Sequence, residues 1–376
     1  MSEYQFIHFL AIDRPLDEEQ LEFMRGQSSR AEVSRWEFTN EYHFGDFHGN
    51  TLEMLRRGYD VHLHFADFGI RRLMFRLPGG LPCQKTLFRK FQPSYGLQWH
   101  ADRSGPGGTL DIQPEGDAGT WDAYLPDVEE ILPSIAPVRD LLMQGDLRPL
   151  YLAWLACELG CDESVEPSVP AGLKDLPPSL TALAQFYDIS GDLLQAVALA
   201  SVAAPTGVGP EQHLEDWLKQ QSAAELRKLA HRLLAGDTAA ARADVLTRVR
   251  NDCGESSWPV TESSRTIAEF RAEAERIASQ RRKQEQAREV KQHQERQQKL
   301  AANPDKAIAL ARSYVKQRGT ISYELAAREL ADLREALNSE QGNRQVAAVA
   351  EKLARDNPTL NRLKSALRKK GLLPGR

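Results

Sequence analysis

The chain has 376 residues, 41% hydrophobic and 27% charged, enough for two or three ordinary globular cores. No apolar run approaches the roughly 18–20 residues of a membrane span, and MSEYQFIHFLAIDRP lacks the basic start and cleavage site of a signal peptide. Four cysteines (Cys83, Cys157, Cys161 and Cys253) are too few to staple a secreted chain, so the expectation is a cytoplasmic protein without membrane association.

The opening YQFIHFLAI places apolar residues on both alternating sets, as a central strand does. In LDEEQLEFM, Asp17 is set to cap a helix, Gln20 to reach back to it, and Leu16 with Leu21 to form a hydrophobic staple. AEVSRWEF predicts a second, less regular strand marked by Val33, Trp36 and Phe38; TLEMLRRG predicts a short helix ending at Gly58. YDVHLHF alternates, with Val61, Leu63 and Phe65 on one side and Asp60, His62 and His64 on the other. ADFG then supplies a hairpin turn, and IRRLMFRL sets Leu73, Phe75 and Leu77 opposite Arg72 and Arg76. GLQWHA and TLDIQP pair across the Gly- and Pro-rich DRSGPGG. The fold class expected is α+β: a mixed-sheet α/β sandwich over residues 1–120, followed by an all-α region.

From about 121 to 250 the apolar spacing becomes helical, through DVEEILPSIAPVRDLLMQG, DLRPLYLAWLACELG, SLTALAQFYD, DLLQAVALAS and three further helices. NDCGESSWPVTESS reads as a linker at 251–265. A long helix is expected over 266–302; its stretch 279–299 holds only Ala287 and Val290 as apolar residues, so it has no face to bury. Residues 303–376 read as a small basic helical bundle. The net charge of −5 is divided unevenly: 281–376 carries 22 Lys+Arg and 11 Asp+Glu, leaving 26 and 42 on 1–280. Such a tail meets an acidic partner or nucleic acid, or docks on its own acidic body.

GDFHGN at 45–50 is similar to the opening block of calcineurin-like metallophosphoesterases, where an Asp and a His one residue apart ligate metal. That resemblance would make Asp46 and His48 ligands of a divalent metal ion that activates water. The GDxxDRG and GNH blocks of that family are missing, and a helix capped after a Gly-rich turn gives the same letters, so the loop reading is preferred. Six of nine histidines fall in the first 100 residues, and His62 with His64 on one strand face has the spacing for two ligands of one metal. Arg71, Arg72 and Arg76 beside them are a candidate basic sheet face. Cys157 and Cys161 lack a second pair and read as buried thiols.

The pattern FLAIDRPL…SSRAEV…NEYHFGDFHGN…LRRGYDVHLHFADFGIRRLMFRLP…GDLRPLYLAWL, over residues 4 to 205, resembles a family of bacterial proteins to which no activity is assigned. The resemblance implies a bacterial cytoplasmic protein and transfers no site residues. The function expected is a non-catalytic interaction protein whose C-terminal region contacts a protein partner or nucleic acid through Arg362, Lys364, Arg368, Lys369 and Lys370. The alternative is a metal-dependent hydrolase built on Asp46, His48, His62 and His64.

Overall fold

The computed structural model describes residues 4–93, 95–116, 127–204, 210–236, 238–252 and 258–374. Cys253, part of the expected linker, the boundary at 120–121 and Arg376 lie outside the described residues. The chain divides into two compact units, Met1–Ala278 and Ser279–Arg376.

The first unit opens with β1 (Gln5–Leu10), α1 (Glu18–Arg25), β2 (Glu32–Val33), β3 (Glu37–Tyr42), α2 (Thr51–Arg57), β4 (Val61–Ala66), β5 (Ile70–Leu77), α3 (Lys85–Phe91), β6 (Leu97–Ala101) and β7 (Gly108–Ile112). Helices α4 (Val128–Ile135), α5 (Val138–Met143) and α6 (Arg148–Glu158) follow, then β8 (Val169–Pro170), α7 (Pro178–Phe186), α8 (Gly191–Ala198), α9 (Pro210–Gln220), α10 (Ala223–Leu234), α11 (Thr238–Asp252) and β9 (Val260–Thr261).

The seven strands form one sheet in the order β2-β3-β1-β4-β5-β7-β6. A mixed sheet was expected; every pairing is antiparallel. The reason is local. β4–β5 and β6–β7 are hairpins, and the connections through α1, α2 and α3 each pass one intervening strand, so that β3 and β4 lie on opposite sides of β1.

Alternation gives the sheet two apolar faces. Phe6, Val61, Leu63, Phe65, Leu73, Phe75, Leu110 and Ile112 face the helices α4 to α8, and this core takes in Phe88 and Phe91 of α3. Ile7, Phe9, Phe38 and Met74 face the other way, under Leu21 and Met24 of α1 and Met54 and Leu55 of α2. Helix α6 is buried continuously from Arg148 to Ala156, as a helix apolar on all sides must be. Each such leucine contributes about 1.5–3 kcal/mol on burial.

Local signals act as written. Asp17 and Gln20 form the capping box of α1, with Leu16 and Leu21 buried. AEVSRWEF, expected as one strand, breaks into β2 and β3, because Ser34 bonds forward to Glu37 and makes a turn. Trp36 lies on that turn and is 50% exposed. Residues 258–265 run along this unit: Trp258 donates to the Ala171 carbonyl, β9 pairs with β8, and Arg265 forks onto buried Glu166.

Helix α12 (Ile267–Ala302) begins in the first unit, where Ile267 and Phe270 are buried, and ends in the second. Residues 281–296 are exposed throughout. The second unit contains the remainder of α12 with α13 (Pro304–Lys316), α14 (Thr320–Leu337), α15 (Glu340–Asp356) and α16 (Asn361–Lys369). Its core gathers Leu300, Ile308, Ala311, Tyr323, Leu330, Val346, Leu353, Leu363 and Leu367.

Candidate functional site

The Asp46/His48 loop and the histidines of β4 are the first place to look. Residues 45–49 form the loop before α2, and Asn50 caps that helix by accepting from the Glu53 N–H at 3.1 Å. Phe47 fixes the loop, packing on Phe9 and Phe38. Asp46 is exposed and accepts from Gln5 Nε2 at 3.0 Å; His48 is exposed.

His62 and His64 share the sheet face predicted for them, but each is committed within the fold. The His62 ring stacks on Phe9 with centroids 4.0 Å apart, and Nδ1 donates to the His8 carbonyl at 3.1 Å. Its Nε2 is buried without a protein partner. Gln5 spends its amide N–H on Asp46, so its Oε1 accepts from His64 Nε2 at 3.0 Å, which fixes the proton on that nitrogen. Burial, then the Arg72 guanidinium, push His64 down to about 4, while Asp46 pulls the other way. Burial drives His62 well below the usual histidine range. Both imidazoles are neutral at pH 7. Among the described residues no three His, Cys, Asp or Glu side chains gather as metal ligands, and Asp46, His48, His62 and His64 are not brought together as one set.

The basic sheet face is neutralised where it stands. Arg72 forks onto Asp111 through Nε and Nη2 at 2.8 and 2.6 Å, and His100 Nε2 meets the same carboxylate at 3.2 Å. Arg76 pairs with Asp102 at 2.6 Å. Arg71, expected beside them, points through the opposite face into the helical core; it is fully buried and donates to the Phe186 carbonyl beside Asp188. Strand alternation requires this, since 71 and 72 cannot share a face.

The second unit holds its charge differently. On α14, Glu329 and Asp332 take Arg296 at 3.1 and 2.7 Å and Glu335 meets His293. Helices α13 and α16 are cationic, and α15 adds Lys352 beside α13. A groove of about 370 Å3 runs between α13 and α15, lined by Arg312, Lys316, Arg318 and Lys352 against the single carboxylate of Asp356. Arg318 holds a left-handed backbone, with φ of 47°.

Helix α16 brings the predicted contact residues to this bundle. Leu363 and Leu367, four apart, bury one side, and Arg368, Lys369 and Lys370 stay exposed. Arg362 Nη1 donates to Thr320 Oγ1 at 2.5 Å, beside the end of α13, and Lys364 Nζ donates to the Pro358 carbonyl at 2.7 Å. The carbonyls just past α16 are taken by α14. Arg334 donates to the Lys370 and Gly371 oxygens at 3.2 and 2.7 Å. Among the described residues Arg312, Lys316, Arg318, Lys352, Arg368, Lys369 and Lys370 make no ion pair. The α13–α15 groove was not legible in the sequence, because its cations lie some 35 residues apart along the chain; the basic end ARSYVKQR was the available signal.

No helix of the described residues is long and apolar enough to cross a membrane. Comparison with known proteins returns no matching family, no matching curated protein and no matching solved structure.

Proposed function

We propose that this is a non-catalytic, cytoplasmic interaction protein whose C-terminal bundle binds nucleic acid through the sugar-phosphate backbone. One observation carries the reading: among the described residues Arg312, Lys316, Arg318, Lys352, Arg368, Lys369 and Lys370 stand without carboxylate partners, while Glu329, Asp332 and Glu335 of α14 are engaged with α12. Desolvating a cation costs less when a phosphate replaces water, and releasing condensed counterions drives the exchange. Lys316 ends α13 and Arg318 follows it, where the helix dipole also favours positive charge. That term explains cations at a helix end; it does not explain their alignment with Lys352 across a groove.

The test is fluorescence anisotropy of labelled generic single- and double-stranded oligonucleotides between 50 and 200 mM salt. Engagement of about five phosphates gives a slope of log K against log salt near −4. Truncating the tail would remove Leu363, Leu367 and Leu372 from the core, so charge reversal is the cleaner perturbation. Lys316→Glu with Lys352→Glu, and separately Lys369→Glu with Lys370→Glu, are expected to weaken binding tenfold or more and flatten the slope. Absence of binding to any oligonucleotide at 50 mM salt rejects the nucleic-acid reading and leaves an acidic protein partner. A stoichiometric divalent metal in the purified protein would instead favour the hydrolase alternative.

A further inference from the structure

A second cationic cavity, in the first unit, has a different character. It encloses about 170 Å3 where the end of β1, the end of α2, β5 and α5 meet, and is lined by Arg14, Arg56, Arg76 and Arg139 with Asp13 and Asp60. Arg139 is 1% exposed and occupies the floor. Its Nε donates to the Arg76 carbonyl at 2.7 Å, and Nη2 meets Asp13 Oδ2 at 2.5 Å and Asp60 Oδ1 at 3.0 Å. Its Nη1 has no protein partner. The two carboxylates thus share one guanidinium, and Asp60 also accepts the Ile12 and Asp13 N–H groups at 2.7 and 3.0 Å.

Of the surrounding guanidinium groups, Arg76 is paired with Asp102, Arg56 makes only long ion pairs, and Arg14 makes none among the described residues. Arg14 is exposed and has no partner among the described residues. Arg56 sits 3.7 Å from Asp102 and 4.0 Å from Glu53, beyond hydrogen-bond reach of either. Arg76 is held by Asp102, which sets its position. Arginines on three separate elements converge on one small space with donors to spare.

We infer that this cavity binds a phosphoryl group. Planar guanidinium forks match phosphate oxygens, and several approaching from different elements suit a tetrahedral dianion better than a flat monoanionic carboxylate. The volume lies below the roughly 300–1,000 Å3 of pockets that swallow drug-sized ligands, so the cavity takes the phosphate end of a molecule and leaves the rest outside. The phosphoryl group comes either from a small phosphorylated molecule or from the terminal phosphate of a nucleic acid. The inference does not rest on the C-terminal groove, since every lining residue belongs to the first unit.

The experiment is isothermal calorimetry of the full chain in low-chloride buffer with inorganic phosphate and pyrophosphate. Saturable one-to-one binding is expected, weakened about tenfold by Arg14→Gln and more by Arg14→Gln with Arg56→Gln. Arg14 is exposed and Arg56 makes only long ion pairs, so these variants are expected to keep the fold, and an unchanged thermal midpoint without ligand verifies it. Lys316→Glu with Lys352→Glu must leave phosphate affinity unchanged, which separates this site from the groove. A 5′-phosphorylated oligonucleotide that displaces phosphate where its 5′-hydroxyl counterpart does not assigns the group to a nucleic-acid end; equal behaviour of the two assigns it to a small molecule. No saturable phosphate binding by the wild type, or equal affinity in the wild type and the Arg14/Arg56 variant, overturns the inference.

Discussion

Replacing Arg139 by Met tests how the first unit is held together at this cavity. Methionine fills much of the arginine stem but leaves Asp13 and Asp60 without their cation, with side chains 6% and 11% exposed. The two lose unequally. Asp60 keeps the Ile12 and Asp13 N–H groups, whereas Asp13 has no other side-chain partner among the described residues. Removing one member of a buried ion pair costs about 3–5 kcal/mol, and here the loss is expected near that level, mostly through Asp13. All six tryptophans lie within residues 1–278, so their emission during urea unfolding follows the first unit alone. Burial raises the Asp60 pKa above the usual carboxylate value, while Arg139 opposes the rise. A carboxyl whose folded pKa exceeds its unfolded one costs the folded state stability as pH rises from about 4 through the folded value. Loss of Arg139 enlarges that rise, so the gap between wild type and Arg139→Met should be wider at pH 8 than at pH 5. Adding Asp13→Asn to the variant should recover part of the loss. A deficit below about 1 kcal/mol, or one equal at both pH values, refutes this account of the ion-pair cluster.

Three further expectations follow from single features. His64 is depressed to about 4 against an unfolded value near 6.5, so first-unit stability should fall as pH drops from 6.5 to 4 and level off below. His64→Gln should remove up to about 3 kcal/mol of that dependence, measured as the difference between the two proteins' pH–stability curves. Arg318→Gly should raise the stability of the second unit by about 0.5–1 kcal/mol, since glycine accepts the positive φ, and should lower oligonucleotide affinity; far-UV circular dichroism and anisotropy report the two effects separately. Amide exchange in α12 should be fast over 281–290 and slower from 293 onward, where His293 and Arg296 are tied to α14.

Elements whose signal is local were legible in the sequence. The capping box at Asp17, the β4–β5 hairpin around Asp67 and Gly69, and the end of α2 at Gly58 depend on residues within four positions of each other. Strand direction was not legible, because it depends on which strands meet across the sheet. β1 lies between β3 and β4, and nothing near any of the three encodes that placement. Helix α3 escaped notice for a related reason: KTLFRKF buries only Phe88 and Phe91, too few apolar positions to show a period. The Arg71 side chain was assigned to the wrong face although alternation alone gives the right one.

The candidate sites show the same division more sharply. GDFHGN offers the right ligand types, but a metal site is defined by convergence, and convergence depends on depth as well as direction. Asp46 and His48 ride an exposed loop, while His62 lies beneath Phe9 with one nitrogen donated to a backbone carbonyl. What links loop to strand is the Gln5 amide, which satisfies Asp46 on one side and His64 on the other. A side chain that uses both ends this way holds its neighbours at a fixed distance from each other. Gln5→Leu should therefore free both groups. Removing the amide leaves His64 Nε2 without its acceptor and Asp46 without its donor, at a cost of about 1–3 kcal/mol for the buried imidazole. The loop should then exchange faster around Gly45 and Asp46, readable by amide exchange. Equal protection in the variant would mean that Phe47 alone holds the loop, and that the polar chain through Gln5 contributes nothing to its order.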